Sequence, residues 1–311
     1  MDRREAMHYV QLMDKNVRCE LCGHNCTIPD TAIGLCKVRR NIGGVLYSLN
    51  YGKISTLMID PIEKKPLYHF YPGSKTLSLA MHGCNMKCSF CQNSSISQVD
   101  DPAQIKGEIL TPEDIIKIAK AKGISTISYT YTEPTVFYEF MIETAILAKT
   151  AGFKNVVITN GFINKQPLKE LIKFADAFNV DLKSFRQPTY ETIMGGKLDL
   201  VLETIDTIVA SGVWCEITTL LIPQLNDSSE ELEDIARFIF NTGKHIPWHI
   251  SMFHPDHKMK YKGFTSTYDL LRAYNVGKNA GLRYVYIGNI VDRRTASTYC
   301  YSCGSEIIGR Q

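Results

Sequence analysis

From about Lys75 to Gly288, short β-rich apolar runs alternate with stretches whose apolar residues recur at helical spacing. The runs Leu77–Met81, Thr126–Thr130, Asn155–Thr159, Val180–Leu182, Val213–Leu221, Trp248–Phe253 and Arg283–Ile287 predict strands. Between the first two, Thr111-Pro112-Glu113-Asp114 signals a helix start: a capping Thr, Pro at the first helical position, and acids in the first turn. Ile115, Ile116, Ile118 and Ala119 give the apolar stripe of that helix, and Gly123 closes it. Further helices are expected over Thr135–Ala151, Pro167–Ala177, Leu198–Ser211, Ser228–Thr242 and Thr267–Ala280. Repeated β-helix-β units imply a parallel sheet. The units are fewer than the eight of a closed barrel. The expected fold class is therefore α/β, a partial parallel βα barrel of six to seven units. A doubly wound sheet ranks second, because no Gly-x-Gly-x-x-Gly follows the first strand.

The chain divides into three stretches. Residues 1–74 form an N-terminal four-cysteine region with a β-hairpin whose turn falls at Asn50-Tyr51-Gly52. Residues 75–290 form the barrel, and residues 291–311 a tail with a Cys-x-x-Cys. The polar connector Asp60–Phe70 reads as a loop over the barrel mouth, either a plain cover or a lining of the substrate entrance. A covered mouth would suit a small substrate.

Composition narrows the function classes. The 311 residues are 44% hydrophobic and 22% charged, as in an ordinary globular chain, and the net charge of +3 is too small to argue for nucleic acid. No apolar run approaches the ~18 residues of a membrane helix. Met1-Asp2-Arg3-Arg4-Glu5 leads into no apolar segment of the secretory kind, so a cytoplasmic, reducing compartment is expected. In such a compartment ten cysteines at short spacings point to metal or cluster ligation, or to redox chemistry. Cys215, alone in an apolar run, reads as a small buried hydrophobe.

Function in parallel βα folds gathers where strands end. Cys84, Glu133, Asn160, Asp181, Lys183 and His254 all fall there. The loop Gly83-Cys84-Asn85-Met86-Lys87-Cys88-Ser89-Phe90-Cys91-Gln92-Asn93 is the strongest signal. A closed zinc site or a cubane iron–sulfur cluster takes four ligands, so three thiols leave one position open. A zinc ion completed by His82 or His254 is the weaker reading.

Cys-x-x-x-Cys-x-x-Cys with an aromatic residue before the last Cys resembles the radical S-adenosylmethionine (radical SAM) superfamily. The resemblance implies that Cys84, Cys88 and Cys91 hold a [4Fe-4S] cluster whose open iron chelates SAM. Reductive cleavage would then release a 5′-deoxyadenosyl radical that abstracts hydrogen from a substrate. Within the superfamily, Tyr131-Thr132-Glu133-Pro134 is similar to the Gly-Gly-Glu-Pro turn of the glycyl-radical-enzyme activases, with Tyr and Thr in place of both glycines. Thr159-Asn160-Gly161, Asp181-Leu182-Lys183 and Met252-Phe253-His254-Pro255 resemble later segments of the same enzymes. The cofactor-binding residues so implied are Phe90, Thr132, Glu133, Asn160, Asp181, Lys183 and His254. Over nearly its full length the chain most resembles the radical SAM component of the AmmeMemoRadiSam system. That resemblance rests on Cys19 to Arg39, Asp60–Phe70 with Pro72-Gly73-Ser74, Gly83–Asn93, Tyr131–Pro134, Pro247–Asp256, Tyr286–Asn289 and Thr298–Gly304. It implies partnership with Memo-like and AMMECR-type proteins, a low-potential electron donor, and a small-molecule or protein substrate.

Cys19, Cys22, Cys26 and Cys36 have spacings that one tetrahedral ion or one cluster could take. Zinc is the favoured occupant and a second iron–sulfur cluster the alternative. Cys300 and Cys303 are half a zinc knuckle. They could join two thiols of the first group across space or act as a redox dithiol. Tyr131, His69, His249 and His254 are candidate acids or bases, on the expectation that they lie near the mouth. Two competing readings remain: an activase of a glycyl radical enzyme, such as pyruvate formate-lyase, and a zinc-ribbon binding module on an inactive barrel.

Overall fold

The computed structural model describes residues 4–310. All seven expected parallel strands are present: β1 (Lys75–Met81), β2 (Thr126–Tyr129), β3 (Lys154–Thr159), β4 (Ala177–Asp181), β5 (Trp214–Leu221), β6 (Trp248–Met252) and β7 (Val285–Gly288). They pair in chain order within a nine-stranded sheet that does not close, with Val285–Gly288 and Glu108–Ile109 at its edges. Among the described residues, no helix is long and apolar enough to cross a membrane.

Six helices of eight or more residues intervene among the described residues: α1 (Pro112–Ala121), α2 (Tyr138–Thr150), α3 (Lys165–Ile172), α4 (Leu198–Ala210), α5 (Ser229–Gly243) and α6 (Thr267–Asn279). The start of α1 is a reciprocal cap. Thr111 Oγ1 accepts from the Asp114 N–H at 3.2 Å, and an Asp114 carboxylate oxygen accepts from the Thr111 N–H at 3.1 Å. Ile115, Ile116 and Ala119 of α1 are buried, and the helix packs beside α2. Helix α3 ends earlier than its apolar pattern suggests, because Ala177 is claimed by β4, where it pairs with Val156 and Trp214.

The N-terminal region departs from expectation in two ways. The chain does not fold back on itself at Asn50-Tyr51-Gly52. Val45–Ser48 pairs with Arg39–Ile42 across Gly43-Gly44, both with positive φ, whereas Lys53–Pro61 joins the large sheet antiparallel to β1. The barrel sheet therefore reaches back to Lys53, inside the stretch assigned to the appendage.

The connector after Asp60 also lies at the other end of the barrel from the mouth. Lys53–Pro61 runs antiparallel to β1, so its last residue pairs with Lys75 at the start of that strand. Ile62 and Leu67 then pack on Val156 and Ala177, in the N-terminal halves of β3 and β4. The Pro66 carbonyl accepts from Asn179 at 2.8 Å, and the N–H groups of Tyr68 and His69 donate to the Glu216 carboxylate at 3.0 and 2.8 Å. The connector is a floor, not a lid. The tail closes over the same end: Arg310 donates to the Tyr68 carbonyl at 2.6 Å, and Arg283 lies over the Tyr301 ring.

The cysteine-rich region packs instead beside the loop that follows β1. His24 Nε2 is 2.7 Å from the Asn85 carbonyl oxygen, and the Asn164 N–H donates to the Leu21 carbonyl at 3.0 Å. Gly83 has a φ of 112°, and a Cβ there would meet Val38 at 2.6 Å. Cys300 and Cys303 lie on the tail, in and beside the turn between the antiparallel pair Thr298–Tyr299 and Glu306–Ile308.

Candidate active site

β1 delivers the chain to the mouth, and a web of backbone bonds then fixes the cysteine loop. Gly83 N–H donates to Ile96 O at 3.0 Å, Lys87 N–H to Met194 O at 2.7 Å and Ser89 N–H to Ile193 O at 3.0 Å, while Ser89 O accepts from Lys258 at 3.0 Å. Cys84 Sγ accepts from the Met86 N–H at 3.3 Å and lies 3.7 Å from Asn160 Nδ2. Cys91 Sγ lies 3.1 Å from Ser97 Oγ. Burial, with Glu133 nearby, pushes the Cys84 thiol well up. Cys88 is pushed up to about 12 by burial, against the pull of the Lys183 ammonium. A bound cation that converts these thiols to thiolates would relieve that desolvation cost.

The three thiols wall one cavity of about 310 Å³. Phe90, Thr132, Glu133, Asn160, Asp181 and Lys183 wall it too, so the strand ends bring these expected residues together. Lys183 Nζ meets Asp181 Oδ2 at 2.6 Å. Burial lowers the Lys183 pKa, but Asp181 outweighs it and the ammonium is held above the usual lysine range. Thr132 Oγ1 donates to the Met81 carbonyl at 2.6 Å, which fixes the turn against the end of β1. Glu133 is buried, and burial raises its pKa. Its Oε1 accepts from the Thr135 N–H at 3.0 Å and from the Thr135 and Thr159 hydroxyls at 2.7 Å, and Oε2 accepts from the Asn160 N–H at 2.8 Å. Glu133 thus clasps the ends of β2 and β3 together while facing the cavity.

The turn itself answers the loss of the two glycines. Tyr131 adopts a φ of 65°, the left-handed conformation that Gly would take freely. Three contacts hold it there: the Tyr131 hydroxyl donates to Asp60, Lys65 Nζ lies 4.2 Å from the ring centroid, and Asn93 Nδ2 donates to the Tyr131 carbonyl at 2.7 Å.

Three candidates are not in this site. His254 is exposed and does not wall the cavity, because the chain turns outward after buried Phe253. His69 and His249 belong to the floor. His249 Nε2 is 2.6 Å from Glu216, and His69 Nε2 is 2.6 Å from the Tyr286 hydroxyl. The sequence reading missed Thr218, which walls the cavity from the middle of β5, and Ser251 and Asn289, which wall it from the ends of β6 and β7; Lys64, Lys65 and Pro66 of the connector also wall it, from the floor, in keeping with the lining expected of that connector's charges. The strand-end rule reaches Ser251 and Asn289 by position but not Thr218, and Ser, Thr and Asn carry no chemical signal of their own.

A model of the radical SAM superfamily matches residues 79–239, from β1 into α5. The chain belongs to the radical SAM superfamily. An uncharacterized protein of Methanocaldococcus jannaschii is 45% identical over 99% of this chain and 91% of its own length. The pyruvate formate-lyase-activating enzyme of Clostridium pasteurianum is 27% identical over 55% of this chain and 71% of its own. Among solved structures, a radical SAM methyltransferase from Sphaerobacter thermophilus shares the fold at a TM-score of 0.54 and 20% identity, covering 76% of this chain and 72% of that one. Membership makes the chain a radical SAM enzyme and implies a [4Fe-4S] cluster and SAM. The donor set fits them: three cavity-facing thiols for a cluster with one open iron, and an adjacent carboxylate–ammonium pair for a zwitterionic cofactor.

Proposed function

We propose that Cys84, Cys88 and Cys91 hold the [4Fe-4S] cluster and that SAM lies across Glu133, Asn160, Asp181 and Lys183, with Phe90 and Thr132 completing its walls. When bound, the two groups supply a 5′-deoxyadenosyl radical able to take hydrogen from an unactivated carbon. The chain's residues orient and shield that chemistry. Lys183 and Asp181 meet the charged and hydroxyl groups of the cofactor, Glu133 ties the mouth strands, and the floor keeps water out from below. The observation that supports this reading is the convergence of the three thiols, Glu133 and the Asp181–Lys183 pair on one cavity.

The substrate reading follows the resemblance: a radical SAM enzyme of the AmmeMemoRadiSam type, cytoplasmic, served by a low-potential donor and working with Memo-like and AMMECR-type proteins. The activase reading has the name of the Clostridium pasteurianum relative in its favour. The expected cover over the mouth would have argued against it, and that cover is a floor. Anaerobic reconstitution with iron and sulfide, then SAM and dithionite, should yield 5′-deoxyadenosine. Adding a Memo-like or AMMECR-type protein with extracts of small metabolites should give a product that depends on SAM. A glycyl radical signal on an added pyruvate formate-lyase-type partner would favour the activase reading instead.

A further inference from the structure

The four N-terminal thiols form a second centre. Cys19, Cys22, Cys26 and Cys36 wall one pocket of their own, closed by apolar side chains such as Ile28 and Val136. Arg39 shares that wall and is 2% exposed. Its Nη2 donates to both oxygens of Glu139 at 2.8 and 2.9 Å, and its Nη1 reaches the Met7 carbonyl at 3.4 Å. Its Nε is buried with no acceptor in the protein. A buried N–H is rarely left unpaired. Anionic sulfur in the pocket would supply the missing acceptor and would be matched by the guanidinium charge.

The spacing of the thiols selects the kind of centre. Among the described residues, no three His, Cys, Asp or Glu side chains are grouped to hold a metal ion. That holds for the four N-terminal thiols and equally for Cys84, Cys88 and Cys91. Both sets surround a space rather than converge on a point. A zinc ion needs four thiolates drawn in to ~2.3 Å from one centre. A cubane carries its thiolates on separate corners.

The position of the pocket supplies the use. Asn85 walls it and directly follows Cys84, a thiol of the mouth cavity. The Asn85 carbonyl meets His24, and its side-chain oxygen accepts at 2.9 Å from Asn160, whose amide also lies beside Cys84 Sγ. Cys22, Cys26 and Cys36 are only partly buried, so the pocket is not sealed in the core.

We propose that Cys19, Cys22, Cys26 and Cys36 hold a second [4Fe-4S] cluster that relays single electrons from a low-potential donor to the cluster at the barrel mouth. The donor is oxidised by one electron, and the relay cluster is reduced and then reoxidised. The electron ends on the SAM sulfonium, whose S–C5′ bond breaks to methionine and the 5′-deoxyadenosyl radical. The relay role rests on the radical SAM reading of the mouth, but the presence of the cluster does not.

The test is the Cys84→Ala/Cys88→Ala/Cys91→Ala variant, reconstituted anaerobically with iron and sulfide. It should retain about four irons and four sulfides per chain, against about eight of each in the wild type, and be reducible by dithionite to a paramagnetic state that SAM does not perturb. One zinc with no sulfide in that variant would overturn the proposal. The converse variant, Cys22→Ser/Cys26→Ser, guards against misfolding of the first. It should keep a SAM-responsive cluster of about four irons and cleave SAM at the wild-type rate with titanium(III) citrate. With a flavodoxin-type donor it should be at least tenfold slower. Equal rates with both reductants would overturn the relay, and an undiminished iron count would overturn the second cluster. Failure of the mouth assignment looks different: no deoxyadenosine from the wild type, with the N-terminal irons still present.

Discussion

The hydroxyl of Tyr131, at the mouth end of β2, donates a hydrogen bond to the carboxylate of Asp60, which arrives from the floor. The two ends of the barrel are thus tied through its interior. Asp60 also accepts from Lys64 at 2.9 Å and from buried Lys65 at 2.7 Å. Asp60→Asn leaves the Lys65 ammonium buried without a full counter-charge, so a loss of about 3–5 kcal/mol is expected, read by urea denaturation.

The same carboxylate sets a pH dependence. Burial raises the Asp60 pKa, but the hydrogen bonds from Lys65, Tyr131 and Lys64 outweigh it and hold the group well below the usual aspartate range. A depressed carboxylate stabilises the fold fully above its unfolded value of about 3.9, and that contribution is lost as pH falls toward the folded value. Unfolding midpoints measured from pH 6 downward should fall below about pH 4 in the wild type and be flatter in Asp60→Asn.

Lys183 and Asp181 are expected to act on the cofactor rather than on the fold. Lys183→Ala should weaken SAM binding by about 1.5–3 kcal/mol, the range for a hydrogen bond to a charged group, or roughly ten- to a hundredfold in Kd. Calorimetric titration of the reconstituted protein reads this directly. His254→Ala, at an exposed position off the cavity, should leave SAM affinity unchanged.

Much of the fold was legible because strands and helices in a βα array each bury a periodic face: the seven runs from Leu77 to Ile287 met the parallel strands within a few residues. The cysteine loop was legible because three thiols at that spacing have few structural uses. What escaped depended on long-range pairing. Nothing local in Lys53–Pro61 tells whether it folds back on Val45–Ser48 or crosses to β1, and the charges of Asp60–Phe70 suit a floor as well as a lid. His69 and His249 were misplaced for the same reason. His69 lies near the end of the floor segment and His249 near the start of β6, and only the register shows that Glu216, not the mouth, is their neighbour.

The tail dithiol makes a separate prediction. Hydrogen bonds from the Ser305 side chain and backbone bring the exposed Cys303 thiol down to about 7. The cluster-loop thiols Cys84 and Cys88 are instead pushed up by burial. Iodoacetamide should therefore label Cys303 first, at a rate that rises with pH through about 7 and levels above it, as followed by mass spectrometry. Cys303→Ser should remove that fast phase and leave SAM cleavage unchanged.

The central claim is that SAM chemistry belongs to the loop after β1. Its most direct test compares the wild type with the Cys84→Ala/Cys88→Ala/Cys91→Ala variant, both reconstituted anaerobically and supplied with SAM and dithionite, with 5′-deoxyadenosine quantified. The account predicts deoxyadenosine from the wild type and none from a variant that retains the wild-type circular dichroism. Deoxyadenosine at the wild-type rate from the folded variant would contradict it.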